Sequence, residues 1–289
     1  MKPAPFDYRD PETLTEAIGL LVERGDDAVI ISGGQSLVPL LNLRLARPEI
    51  VIDLRRVADL DHIVIEPHRI RVGARVTARQ LGESAEVRAA LPGLTEAVLA
   101  IGHAQIRNRT TIGGSIAHAD PASELPAALC ALDGEVVLTG PDGERVVAAD
   151  DFFESAYVTN RRSDEVLTEI RFTRPNGPST WVEFATRPGD FALVGVFIAI
   201  TLDDGRLVAD ARIALTGAGS RPLLVPGAAA LLLGHSLGSP GTLDATACAA
   251  VGDAVAARFD ATSNTQPDVA HRQSLARELT RQAIGSLAP

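Results

Sequence analysis

IGHAQIRNRTTIGGSIAHADPASE, running from Ile101 to Glu124, is the stretch around which the rest of the chain is organised. At its centre stand Thr110-Thr111-Ile112-Gly113-Gly114-Ser115. Adjacent glycines allow positive φ and carry no Cβ, so the backbone can come close to a ligand. Successive N–H groups in such a turn can form an anion-binding nest. The hydroxyls of Thr110, Thr111 and Ser115 can donate to the same anion. The same chemistry recurs at Ser32-Gly33-Gly34-Gln35-Ser36, directly after the apolar run Ala28-Val29-Ile30-Ile31. A lone Gly-Gly pair is ordinarily a turn. Two hydroxyl-flanked pairs in one chain suggest two clamps on a diphosphate.

Composition narrows the rest. The chain has 289 residues, enough for two domains of the usual ~100–200 residues each. A hydrophobic content of 46% supplies a full core. The net charge of −10 argues against nucleic acid, which needs clustered basic surface. No run of eighteen apolar residues is present to span a bilayer, and MKPAPFDYRDPE lacks the apolar centre of a signal peptide. A cytoplasmic protein with no transmembrane segment is the expectation. The two cysteines, Cys130 and Cys248, are far apart and form no CxxC, so the chain brings no Cys-ligated iron–sulfur cluster of its own. The histidines form no HExxH, and Lys2 is the only lysine, which excludes a Walker lysine. Redox chemistry here needs an organic cofactor.

Read in order, Phe6 and Tyr8 lie in an extended entry, and Thr13 opens a helix from Leu14 to Arg24 that Gly25 ends. Ala28–Ile31 and Glu49–Leu54 read as strands, with a short helix or turn over Leu37–Leu45. Ile63–Glu66 and Arg69–Gly73 pair across Pro67-His68. Helices follow from Thr77 and over Leu94–Ile101 and Leu125–Leu132. Glu135–Thr139 and Glu144–Val147 form a hairpin, and Glu165–Thr173 closes this half. Arg174-Pro175-Asn176-Gly177-Pro178 is the densest turn cluster in the chain and marks a domain boundary. Beyond it, Ser179–Thr186, Ala192–Leu202 and Leu207–Thr216 read as strands. Helices over Gly227–Leu233, Asp244–Arg258 and His271–Ile284 come next. Strands followed by helices imply an α+β layer, a sheet with helices on one face.

Three motifs in this order, Ser-Gly-Gly-Gln-Ser-Leu from Ser32, Gln105-Ile-Arg-Asn-Arg-Thr-Thr-Ile-Gly-Gly-Ser and Gly189-Asp190-Phe191-Ala192, resemble the FAD-binding medium subunit of the molybdenum hydroxylases. That family includes flavoprotein subunits of carbon monoxide dehydrogenase and of N-heterocycle dehydrogenases, and is similar to the flavin domain of xanthine dehydrogenase. The resemblance covers nearly the whole chain. It implies an α+β fold. A two-part FAD-binding domain of the vanillyl-alcohol-oxidase-like type occupies 1–175, with subdomains of about 1–58 and 59–175. A C-terminal three-stranded antiparallel sheet with a helical layer occupies 179–289.

The resemblance further implies non-covalent FAD, its pyrophosphate held by Ser32, Gly33, Gly34, Gln35 and Ser36 and by Thr110, Thr111, Ile112, Gly113, Gly114 and Ser115. Ile101 then lies against the cofactor or packs a helix. Glu124 binds a ribose or supplies a helix N-terminal charge. Leu167 and Phe191 meet the flavin or fill the core. His118 and Asp120 fall in a cofactor-contact loop and not in a catalytic dyad. Arg107 and Arg109 bind phosphate, pair with acids or are solvated. Gln35, Ser115 and Glu183 depart from relatives that carry histidine, Asn or Asp, and lysine there, so no relative's substrate transfers directly.

The implied role is an oxidoreductase electron-transfer subunit in a dimer of heterotrimers. An iron–sulfur small subunit with two [2Fe–2S] clusters passes electrons to FAD, a molybdopterin large subunit carries the molybdenum cofactor, and an external acceptor is reduced. No residue of this chain is then an acid or base for hydroxylation, and none binds metal. The alternative is a self-contained FAD-dependent oxidase or dehydrogenase of the same fold.

Overall fold

A computed structural model describes residues 2–237, 245–259 and 269–287. The chain mixes helix and strand throughout. It begins β1 (Asp7–Arg9), α1 (Leu14–Arg24), β2 (Ala28–Ile31), α2 (Leu37–Asn42), β3 (Ile50–Asp53). β3 lies between the other two strands, parallel to both. Thr13 and Glu16 make a reciprocal capping box at the start of α1, and Gly25 at φ 54° ends it. Ala17, Ile18 and Leu21 of α1 then close over Ile50, Ile52 and Leu54. Because all three strands are parallel, the residues leaving β2 and β3 emerge at the same end of the sheet. That end carries the first glycine loop.

A second layer follows: β4 (Ile63–Ile65), β5 (Arg69–Gly73), α3 (Ala78–Glu83), α4 (Ala85–Ala90), α5 (Pro92–Ala100), α6 (Ala104–Arg107), α7 (Ile112–His118), α8 (Glu124–Ala131), β6 (Glu135–Gly140), β7 (Gly143–Ala148), α9 (Ala149–Phe152), β8 (Phe153–Ser155), β9 (Val158–Thr159) and β10 (Val166–Thr173). Its sheet has the order β4-β5-β10-β6-β7, antiparallel throughout. Ile70, Val72, Val136, Leu138, Ile170 and Phe172 face the helices and are fully buried.

The opposite face of this sheet carries an ion-pair ladder centred on Glu169. Glu169 accepts from Arg71 (Nη2, 2.7 Å), Arg171 (Nε, 2.8 Å) and His62 (Nε2, 3.0 Å). Burial pushes its carboxyl up, but the hydrogen bonds from Arg71, Arg171 and His62 outweigh this and hold it at about 2. A depressed carboxyl stabilises the fold fully above its unfolded value and loses that contribution as pH falls through the folded one. Screening of the partly exposed arginines leaves about 1–2 kcal/mol. Acid titration of the unfolding midpoint checks this. Glu169→Gln should be destabilised at pH 7, and the gap to wild type should close between pH 4.5 and pH 2.

The last layer is β11 (Ser179–Ala185), β12 (Ala192–Leu202), β13 (Val208–Thr216), β14 (Leu223–Leu224), α10 (Pro226–Ala229), α11 (Ala245–Ala257) and α12 (Val269–Ser286). Two expectations change here. The sheet has four strands, because Leu223-Leu224 adds a short edge to β13. Helices also cover both faces. Trp181, Phe197, Ala199 and Ala214 join the core beneath α5 and α8. Val194, Val196, Ile198, Ile200, Ile213 and Leu215 pack in a second core with α11 and α12. Burial on both faces explains why β12 reads as a continuous apolar run rather than an alternation. Asp244, expected to begin a helix, lies outside the described residues.

The turn cluster at 174–178 is tied down on both sides. The Arg174 guanidinium donates to the carbonyls of Glu66 and Pro67, and Asn176 and Leu202 exchange hydrogen bonds. Cys130 is buried, and Cys248 is half-buried against the second core.

Candidate functional site

A cleft of ≈490 Å³ opens where the layers meet. Ligand pockets are typically about 300–1,000 Å³. It is lined by both glycine loops, by β2 and by Ile101, Glu124, Leu167 and Phe191. Segments some 160 residues apart in sequence thus share one wall.

The first loop is an open turn. Gly34 has φ +75°, a conformation that favours glycine. Among the described residues no hydrogen bond occupies the backbone N–H groups of Gly33, Gly34, Gln35 or Ser36. Gln35 Nε2 donates to the Gly33 carbonyl at 3.3 Å. These amides form the anion-seeking part of the cleft.

The second stretch differs from the expected nest. Thr110–Gly113 runs alongside residues 74–78: Ala78 N–H donates to Thr110 O, Ile112 N–H to Val76 O and Gly113 N–H to Ala74 O. The chain then enters α7, capped by Thr111 Oγ1, which accepts from Gly114 N at 3.2 Å. Neither Gly113 nor Gly114 has positive φ. Ile112 leaves the site altogether, since its side chain is fully buried and its amide is bonded. It is a core residue.

What these glycines provide is close approach of chain to chain. A Cβ at Gly33 would stand 2.1 Å from the Arg109 carbonyl oxygen, so the two loops touch there. A Cβ at Gly113 would meet Ala74 at 2.5 Å, and one at Gly189 would meet the His103 ring at 2.3 Å. Gly114 is exposed in the cleft wall, and Ser115 Oγ bonds Ser123 Oγ at 3.1 Å.

The side chains left with two readings now separate. Ile101 and Leu167 belong to the core cluster and also line the cleft. Phe191 is 64% exposed, so it fills no core; the Gly189-Asp190 turn holds it at the cleft mouth. Glu124 is buried at the first position of α8, where burial pushes its carboxyl up to about 8, with Glu183 and Asp120 adding to the rise. The upward shift favours the neutral carboxyl, which contributes less to the helix dipole and whose O–H can donate into the cleft.

His118 is half-buried with its ring 5.0 Å from that of Tyr157; burial lowers its pKa, and Asp120 opposes this. Asp120 accepts from Ala122 N–H and from the Tyr157 hydroxyl, and among the described residues no hydrogen bond joins it to His118. Arg107 caps the end of α5, its Nη1 donating to the carbonyls of Leu99, Ile101 and Gly102, and it does not line the cleft. Arg109 does not line the cleft.

A family model described as the FAD binding domain in molybdopterin dehydrogenase matches residues 4–175. The chain belongs to this FAD-binding family. A second model, for the CO dehydrogenase flavoprotein C-terminal domain, matches residues 179–287. The caffeine dehydrogenase subunit beta of a Pseudomonas species is 38% identical over 242 residues, covering 83% of this chain and 82% of that one. The carbon monoxide dehydrogenase medium chain of Hydrogenophaga pseudoflava is 35% identical, over 99% of this chain and 98% of its own length. A solved carbon monoxide dehydrogenase from the same organism superposes with a TM-score of 0.92 at 34% identity, covering 99% and 98%. The fold is that of a carbon monoxide dehydrogenase medium chain.

Within this FAD-binding family member, the cleft has lining residues that the motifs did not point to. Val29–Ile31, Leu40, Leu54 and Val166 add apolar wall, and Ser123 and Arg161 add polar groups. For Val29–Ile31 the signal was present, since strand residues just before a glycine loop reach the same cleft. For Leu54, Ser123 and Arg161 no motif marks the position. Among the described residues no helix is long and apolar enough to cross a membrane, and no group of three or more His, Cys, Asp or Glu is placed to hold a metal ion.

Proposed function

We propose that this chain is the FAD-binding electron-transfer subunit of a heteromeric molybdenum hydroxylase. An iron–sulfur chain with two [2Fe–2S] clusters would deliver electrons to it, and a molybdopterin chain would oxidise the substrate. The observation that carries the reading is the contact of the two glycine loops at Gly33 and Arg109 around one cleft, with four unbonded amides on its wall. The family match supports the cofactor, and the medium-chain relatives support the partnership. Those relatives are named for substrates as different as caffeine and carbon monoxide, so the substrate belongs to another chain of the complex.

The residues present fit FAD. The amides of 33–36 and the hydroxyls of Ser32, Ser36, Thr110 and Ser115 suit the diphosphate. Ile101, Leu167 and Phe191 suit a planar ring system, and Glu124 a ribose or ribityl hydroxyl. When bound, the flavin supplies the electron-carrying chemistry; the protein supplies binding and orientation. In the same reading, 1–175 is the FAD-binding domain of the vanillyl-alcohol-oxidase-like type, split near residue 58, and 179–289 is the C-terminal domain. The two family models, which abut at 175 and 179, support that division. The cytoplasmic location expected from the sequence belongs to this proposal, and cell fractionation tests it.

Flavin should copurify and be held non-covalently, since no cysteine lines the cleft and the His118 ring is packed on Tyr157. Acid precipitation should leave the colour in the supernatant. Colour that stays with the pellet would refute non-covalent binding, and a purified complex with no flavin would refute the function.

A further inference from the structure

The cleft wall holds four formally charged side chains among the described residues, apart from His118: Asp120, Glu124, Asp190 and Arg161. Three are acids. Arg161 is the one cation, and its environment is unusual. Nη1 donates to the carbonyls of Arg162 (2.8 Å) and Glu165 (2.6 Å). No carboxylate pairs with it. The nearby Glu165 is already taken, its two oxygens bonded by Arg145 Nε (2.6 Å) and Nη2 (2.9 Å) and by the Arg162 amide (2.8 Å). Burial pulls the Arg161 guanidinium below its ordinary value, while Glu165 and Asp164 act in the opposite direction. Removing an unpaired charge from water is costly unless an opposite charge arrives.

FAD carries its formal charge on the diphosphate. The chain has no lysine beyond Lys2 to meet it, and Arg107 and Arg109 are excluded by their placement. Neutral amides provide hydrogen bonds to a diphosphate but no net charge. We propose that Arg161 is the counter-ion of the cofactor diphosphate, fixed by its two backbone carbonyls so that its remaining N–H groups serve the ligand. This rests on the cleft being the FAD site. Arg161 then sets a preference for diphosphate-bearing flavin over riboflavin.

The test is calorimetric titration of the flavin-stripped full chain with ADP, adenosine, riboflavin and FAD, together with the melting temperature of the flavin-free protein. Arg161→Met should weaken ADP and FAD about 10–100-fold, the scale of losing one charge-assisted contact. Adenosine and riboflavin should change less than about threefold on the same scale. Arg161→Lys, which keeps the charge, should recover most of the loss. The flavin-free Arg161→Met chain should melt no lower than wild type, because a half-buried cation without a carboxylate partner has been removed. Unchanged ADP affinity in a folded Arg161→Met chain overturns the proposal. So does an equal loss for adenosine, which would make Arg161 a stacking surface. A lower melting temperature with intact ADP affinity would make it a loop staple and also overturns it. If wild type itself binds neither ADP nor FAD, the cleft assignment fails instead.

Discussion

Gly33→Val gives a folded chain that purifies without its flavin. The substituted Cβ would stand 2.1 Å from the Arg109 carbonyl oxygen and 3.0 Å from Thr111 N, both backbone atoms that have no rotamer to change. The loops must part, and the unbonded amides of 33–36 move away from Thr110 and Ser115. Overpacking costs about 1–3 kcal/mol where neighbours can adjust; expressed on ligand affinity, that is about 10–100-fold weaker FAD binding. The core should hold, because Gly33 belongs to none of the three buried clusters. Gly19→Ala is the control: it adds a Cβ with nothing within 4 Å, in the middle of α1. It should keep full FAD and match or slightly exceed wild-type stability. Flavin content per folded chain, with circular dichroism to confirm folding, decides the matter. Full occupancy in Gly33→Val would remove this loop from the site.

The comparison of Gly33 with Gly114 shows what the sequence could and could not reveal. Both pairs of glycines read alike, and both lie at the cleft. Positive φ, however, occurs at Gly34 alone among the four. Gly113 and Gly114 open α7, because Thr111 is a good helix cap and the following Ile112 is anchored in the core. Local composition permits both turn and helix at Ile112–Ser115, and the bonds to residues 74–78 choose between them. A Cβ at Gly114 would disturb mainly the Thr111 cap, at 2.6 Å, so valine there should hurt FAD less than at Gly33.

Elements with clear periodicity or turn residues were legible: α1 between Thr13 and Gly25, the β6–β7 hairpin, and β12 with its long apolar run. The second helical cover on β12 was not, because a strand buried on both faces does not name the elements that bury it. Phe191 stood open between flavin and core when read through the resemblance, and its 64% exposure on the cleft wall removes the core reading. Arg161 was not, because its importance comes from what fails to pair with it, which no local pattern records.

The purified chain alone should not oxidise the complex's substrate. Its two cysteines cannot ligate a pair of iron–sulfur clusters, and Cys130 is buried in the main core. Asp120 is engaged by Ala122 and Tyr157, and no nucleophile stands paired with a base in the cleft. The cleft as built therefore suits a carrier rather than a self-contained oxidase. Illumination with a donor should still reduce the bound flavin, and a dye acceptor should reoxidise it. The decisive measurement is anaerobic mixing of substrate with the flavin-loaded chain, alone and then with its iron–sulfur and molybdenum partners, following flavin absorbance. The account predicts no bleaching by the chain alone and rapid bleaching in the assembled complex. Rapid bleaching with no partner present would contradict it.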